Sequence, residues 1–322
     1  MKTDVHNHAV PESAMELLSR DPVYGVTVDA NFHVSGGPEG AYTVEPPFRD
    51  PPAKLANLER HGLEAAVVSV DPTFFWYDVD PDAGAAMAEA VNRGLKEFCA
   101  YSPDRLHWMA TLPMQDPDLA AGMLEEQRAA GCVGVEVGTH IVDRRLDEPS
   151  FEPFWAAAER LSLPVMIHPS FNQAHPALQV FHLQNVIGNQ LETTLTIERL
   201  ICAGVLDEHP GVRVLAVHAA GFYPFQAGRL RHARTVRPEL AAAPEDPMAY
   251  RGRVLADTIT HDADALRFLV AKMGVENVVM GTDLPFDMAT PEPMRSLEEA
   301  AGAEASRRIA EDNPARLFRF GA

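Results

Sequence analysis

Eight short runs of apolar and β-branched residues, alternating with stretches of helical periodicity, limit what this chain can fold into more than any other feature. The runs are Asp4–Ala9, Ala65–Val70, Leu106–Leu112, Cys132–Gly138, Pro164–His168, Val212–His218, Val254–Ile259 and Val278–Thr282. Most are apolar throughout rather than alternating, the pattern of parallel strands covered on both faces. Helical stretches occupy Ala83–Tyr101, Leu119–Ala130, Phe151–Leu161, Gln190–Asp207, Ala263–Met273 and Met294–Glu311. Asp116-Pro117 is a sound helix start, and Gly131 and Gly274 are stop signals. Eight strands alternating with helical stretches predict an α/β fold, a closed (β/α)₈ TIM barrel. The 322 residues fit that architecture as one domain, 1–322.

One segment breaks the rhythm. Pro11–Pro52 carries Gly36-Gly37-Pro38, Pro46-Pro47 and Pro51-Pro52 among short β-like pieces. It reads as an insertion after the first strand, a small β-hairpin excursion over the barrel mouth. Ser170–Leu183 and Arg237–Arg253 are further irregular stretches.

Charge and composition remove several function classes. With 46 acidic against 27 basic residues, the net charge is −19, a field that repels nucleic-acid backbones. A small carboxylate substrate remains possible if arginine or a metal supplies local positive charge. No apolar run reaches the ~18 residues of a membrane helix. MKTDVHNH is followed by no apolar signal region, so a cytoplasmic location is expected. Cys99, Cys132 and Cys202 are far apart and set among apolar residues, so they read as small buried hydrophobes rather than a disulfide framework or zinc site.

Barrel enzymes carry their chemistry at the C-terminal ends of the strands. His6 and His8 lie two apart on the first strand and so share a face. His168 closes the fifth strand, His218 the sixth, and Asp283 follows the eighth. Any one of these alone would read as a satisfied core residue; together they converge on one rim. Imidazole nitrogens and a carboxylate suit a divalent cation, zinc first and Mn²⁺ as the alternative, with a position left for water.

These residues and their neighbours carry a resemblance. His6-x-His8, His168-Pro169, the block His218-Ala-Ala-Gly-Phe-Tyr-Pro-Phe-Gln-Ala-Gly-Arg229 and Gly281-Thr-Asp-Leu-Pro-Phe286 resemble the amidohydrolase superfamily. The likeness is to its amidohydrolase 2 branch, around aminocarboxymuconate-semialdehyde decarboxylase, and covers nearly the whole chain. It implies His6, His8, His168 and Asp283 as ligands of one metal, and His218 as an acid/base beside it. It also implies a homodimer in which Arg229 reaches the neighbouring subunit's site to hold a substrate carboxylate. The reaction implied is non-oxidative decarboxylation of an unsaturated or aromatic carboxylic acid, a carboxy-lyase activity.

The sequence departs from the family pattern in three places. Val133–Gly138 offers no lysine of the kind carbamylated in two-metal relatives, which favours one metal. Ala219-Ala220 stand where the family carries two glycines. The family's arginine in the long first loop has no clear counterpart; Arg49 is one candidate and Lys54 another. Trp76 (in Phe74-Phe75-Trp76-Tyr77), Phe171 and Phe286 are candidate walls for a flat substrate. His140, His175 and His182 read as structural or loop residues. Hydrolysis of an ester, lactone or amide would use the same ligands and is the alternative reaction; a non-catalytic metal scaffold would leave His218 unexplained.

Overall fold

Residues 1–37, 40–170 and 176–320 are described in a computed structural model. Seven parallel strands follow one another in chain order: β1 (Thr3–Ala9), β2 (Ala65–Val70), β3 (Leu106–Ala110), β4 (Gly134–Gly138), β5 (Val165–His168), β6 (Val214–Ala216) and β7 (Val254–Ala256). Helices lie along the connections, including Pro81–Ala100, Pro117–Ala130, Glu152–Leu161, Gln190–Cys202, Tyr223–Val236 and Ala263–Met273. This is the TIM-barrel order.

The eighth run closes the ring, though not as a regular strand. Val279 N donates to Ala256 O of β7 at 2.9 Å, and Val5 N of β1 donates to Met280 O at 2.9 Å. Parallel bridges pair Ala256 with Val278 and Asn7 with Leu284. The expected strand Val278–Thr282 is thus a bridged segment rather than a regular strand. Backbone bonds to β1 continue past it, Asp283 N donating to His6 O and His8 N to Leu284 O, both at 2.9 Å, while the Asp4 carboxylate accepts from Thr282 N at 3.1 Å and from Thr282 Oγ1 at 2.5 Å. The β1 register also shifts between Asp4 and Asn7.

Two other expectations are corrected. The sixth strand stops at Ala216, because His218 and Ala219 take left-handed backbone angles (φ 53° and 59°) that no ladder tolerates. The helix expected over Gln190–Asp207 breaks after Cys202 at Gly204, whose φ is 84°.

A distinct apolar cluster takes residues from most strands: Val5, Val67, Met109, Met166, Leu215, Leu255 and Val279. Leu317 and Phe318 of the last helix join it, and Phe318 lies against Gly134 at the start of β4, so the C-terminus plugs that end. At ~1.5–3 kcal/mol per buried large apolar side chain, this layer supports the polar residues at the other end of the strands.

Between β1 and β2 the chain forms helix Glu12–Arg20, three short antiparallel strands (Thr27–Val28, His33–Gly37, Gly40–Thr43) and helices Pro46–Arg49 and Pro51–Arg60. Asp50 opens the last of these by accepting from Ala53 N, with Pro51-Pro52 in its first turn. Buried Val26, Val34 and Val44 join this excursion to the main core, and Val10 N donates to Phe48 O. Among the described residues, no helix is long and apolar enough to cross a membrane. Cys99 and Cys132 are buried, Cys202 is half-buried, and all three are free thiols.

Candidate metal centre

His6 and His8 reach inward from β1, His168 from the end of β5 and Asp283 from the bridged eighth segment. One ligand atom from each of these four buried residues lies within 4.8 Å of all the others. Asp283 Oδ1 is 3.4 Å from His6 Nε2 and 3.1 Å from His8 Nε2.

Hydrogen bonds at the far side of each ring fix what faces the centre. His8 Nδ1 donates to Val70 O at 2.9 Å and His168 Nδ1 to Pro169 O at 2.7 Å, since a carbonyl can only accept. His6 Nδ1 lies 2.7 Å from Asp257 Oδ2. With the proton on Nδ1, each Nε2 turns a lone pair inward. His6, His8 and His168 Nε2 and Asp283 Oδ1 are all buried with no hydrogen-bond partner among the described residues. Three lone pairs and a carboxylate oxygen facing one another in low dielectric repel unless a cation sits between them, so the set fits a divalent metal.

Titration directions follow from the same crowding: burial would lower His8, but Asp283 and Glu136 outweigh it and push it up to about 9. Burial, reinforced by His6, His8 and His218, holds His168 well below the usual imidazole range. Burial would raise Asp283, but the imidazoles of His6, His218 and His8 outweigh it and hold the carboxyl well below the carboxylate range.

His218 lies beside the cluster, its ring 5.2 Å from those of His6 and His168 and its Nε2 3.6 Å from Asp283 Oδ2. It is presented by an unusual turn: His218, Ala219 and Ala220 are left-handed in succession at φ 53°, 59° and 59°, and Gly221 follows at 58°. Left-handed geometry costs ~1–2 kcal/mol for each residue bearing a Cβ, so outside contacts must hold this turn. At Gly221 a Cβ would lie 2.3 Å from Gln190 O, so only glycine fits there.

Sequence reasoning passed over Asp257, which follows β7. It is wholly buried, and its carboxylate accepts from the backbone of the His218 turn as well as facing His6. Burial would raise this carboxyl, but His6 above all brings it below its ordinary value. Its position just past a strand end, like that of His168 and Asp283, was the available signal. Glu136 on β4 was also missed as a site neighbour: it is fully buried, with Oε1 4.0 Å from His8 Nδ1.

A cavity of about 700 Å³ opens over the cluster, lined by His168, His218 and Asp283 and walled by Val10, Tyr42, Phe48, Pro169, Phe286 and Met288. Asn185, Asn189 and His182 line it too, so His182 belongs to the site surroundings rather than to an uninvolved loop. Phe286 packs edge-on against His8 and Phe48, with ring centroids 5.2 and 5.0 Å away. A second cavity of about 430 Å³ adjoins across His218 and Asp283 and is bounded by Phe222, Phe225 and Phe268.

Other candidates lie elsewhere. Arg49 is not among the residues lining the cavity; its guanidinium sits over the Phe32 ring at 3.8 Å and its Nε donates to Val44 O, bracing the excursion. Lys54 is fully buried behind β1, where Nζ donates to Asn7 Oδ1 and His8 O, both at 2.6 Å. Trp76 packs on Tyr24 at 5.2 Å rather than lining the cavity. Arg229 is exposed on helix Tyr223–Val236, outside its own chain's cavity. Phe171 and His175 lie outside the described residues.

Comparison with known proteins agrees with this geometry. The amidohydrolase family model matches residues 3–320. The chain is 29% identical over 310 residues to 2-amino-3-carboxymuconate-6-semialdehyde decarboxylase of Dictyostelium discoideum, covering 92% of this chain and 85% of that protein. It is 29% identical over 300 residues to gamma-resorcylate decarboxylase of Rhodococcus jostii, covering 83% and 87%. In fold it matches 5-carboxyvanillate decarboxylase from Sphingomonas paucimobilis, with a TM-score of 0.84 at 23% identity over 98% of each chain. It also matches a dihydroxybenzoic acid decarboxylase from a Polaromonas species with bound manganese, with a TM-score of 0.80 at 22% identity over 100% of this chain and 97% of that one. The barrel, its inward histidines and the match along almost its entire length make this chain a member of the amidohydrolase family.

Proposed function

We propose that this protein is a metal-dependent decarboxylase acting on an unsaturated or aromatic carboxylic acid, built as one barrel domain over 1–322. The observation that carries the reading is the convergence of three buried, partnerless Nε2 atoms and the Asp283 carboxylate beneath a cavity that His218 also lines. His6, His8, His168 and Asp283 would hold one divalent cation, zinc in the first instance and manganese as the alternative. That ion would supply Lewis acidity, drawing electron density from a substrate oxygen.

The rest falls to the chain's own residues. Phe48 and Phe286 wall the cavity on aromatic surfaces suited to a flat, conjugated acid. His218 delivers a proton to the sp² carbon that carries the carboxylate. The bond from that carbon to the carboxylate then breaks and its electron pair returns to the conjugated system. Carbon dioxide leaves, the delivered proton stays on carbon, and the imidazole is reprotonated from solvent.

No described residue lining the 700 Å³ cavity is Arg or Lys, and residues 171–175 contain neither. This favours a homodimer in which Arg229 of one subunit supplies the missing cation to the other. A large apolar face beside it supports the same reading: Phe225 is 74% exposed, and Phe222, Phe268, Leu191 and Leu195 are also exposed. A cytoplasmic site of action is part of the proposal.

The test is carbon dioxide release from a panel of such acids, including gamma-resorcylate and 5-carboxyvanillate, run beside a panel of lactones and esters. Release that chelation abolishes and metal restores supports decarboxylation. Cleavage of lactones or esters with no release from any acid would replace it with hydrolysis.

A further inference from the structure

Asp257 touches two parts of the site that are far apart in the sequence, His6 and the turn at His218. Its Oδ2 accepts from His218 N at 2.9 Å and lies 2.7 Å from His6 Nδ1; its Oδ1 accepts from Ala219 N at 2.7 Å and Ile259 N at 3.1 Å. Four N–H groups occupy the four lone-pair sites of one buried carboxylate. One contact fixes the tautomer of a metal-ligand imidazole; two others hold the first residues of the left-handed turn that carries His218. We propose that Asp257 is a positioning residue that locks the His6 tautomer and the His218 turn together, so that one carboxylate keeps the ligand set and the proton donor in register. The His218 half of this role rests on the proposed decarboxylation; the His6 half does not depend on the reaction.

A carboxamide of the same size cannot replace it. Asparagine accepts on one side only and presents N–H on the other. With its nitrogen toward His6, the imidazole must move its proton to Nε2, and the lone pair facing the other ligands is lost. With its nitrogen toward Ala219 and Ile259, two backbone donors lose their acceptor and the turn loses its anchor. Ala219 and Ala220 cannot hold it alone, because both carry a Cβ in left-handed geometry.

The experiment is Asp257→Asn, read in three ways. Zn²⁺ and Mn²⁺ affinities are measured by chelator competition; the His6 tautomer is read by ¹⁵N NMR of the metal-free, histidine-labelled protein; kcat and KM are measured at saturating metal. The expected result is metal affinity weaker by about ten- to hundredfold, a shifted His6 signature, and kcat lowered by up to about a hundredfold with KM little changed. A variant that merely loosens the fold would melt earlier yet keep the wild-type His6 signature. Wild-type metal affinity with an unaltered His6 signature overturns the tautomer lock, and full kcat at saturating metal overturns the link to His218. If the wild type decarboxylates nothing, the reaction reading fails while the affinity and NMR results still decide the His6 half. Should Asp257→Asn alone not fold, the same measurements are made with Ala219→Gly and Ala220→Gly added, since glycine adopts the turn unaided.

Discussion

At the residue scale, each ligand imidazole is anchored through Nδ1, and His218 is the inward histidine outside that set. His218→Ala should therefore lower carbon dioxide release by about 10²–10⁴-fold while metal content stays near one ion per chain; a metal analysis showing loss of the ion would make His218 a ligand instead. Glu136 gives a prediction about pH. Burial pushes its carboxyl up from 4.5 to about 8, against an opposing pull from His8. The folded state then binds more protons than the unfolded one across that interval. Its stabilising contribution is complete below about pH 4.5 and is lost as pH rises through 8. Glu136→Gln, neutral throughout, should flatten the fall in melting temperature of metal-free protein over that range. An undiminished slope in the variant would place the titration elsewhere.

At the element scale, the turn after β6 stores strain that its sequence does not need. Ala219→Gly and Ala220→Gly each remove a left-handed cost of about 1–2 kcal/mol and add a chain-entropy cost of about 0.5–1 kcal/mol. Each should raise stability by up to about 1 kcal/mol in denaturant melts, and a loss of stability would show that the alanine methyl groups make packing contacts worth more than the strain. The same element shows what could be read from residues alone. His6-x-His8, His168 and Asp283 were legible because strand period and strand ends are local properties. The left-handed turn was not, since alanine carries no signal for it. The eighth segment reads as a regular strand because Val278–Thr282 has strand chemistry, whereas its pairing with β1 and β7 by isolated bridges is defined only in the assembled ring. Asp257 went unnoticed for a similar reason: its partners are 251 and 39 residues away. Arg49 stands in the sequence as a candidate counterpart of the family's first-loop arginine, and only the tertiary fold reveals that Phe32 takes up its guanidinium.

At the scale of the whole molecule, metal binding and folding should be linked. Free metal at a hundredfold excess over its dissociation constant stabilises the folded state by about 2.7 kcal/mol. Chelation should lower the melting temperature of the wild type, and His168→Ala should show little of that difference; equal sensitivity in both would mean that the stabilising ion binds elsewhere. The geometry has a consequence for biosynthesis. Thr282 and Asp4 meet across 278 residues of sequence, and Asp283 is drawn to His6 and His8 at the same seam. An emerging chain displays His6 and His8 long before Asp283, so the four residues cannot meet until translation has passed that aspartate. A cation held there would act as a clasp across that seam, and a chain terminated before Asp283 could not close it.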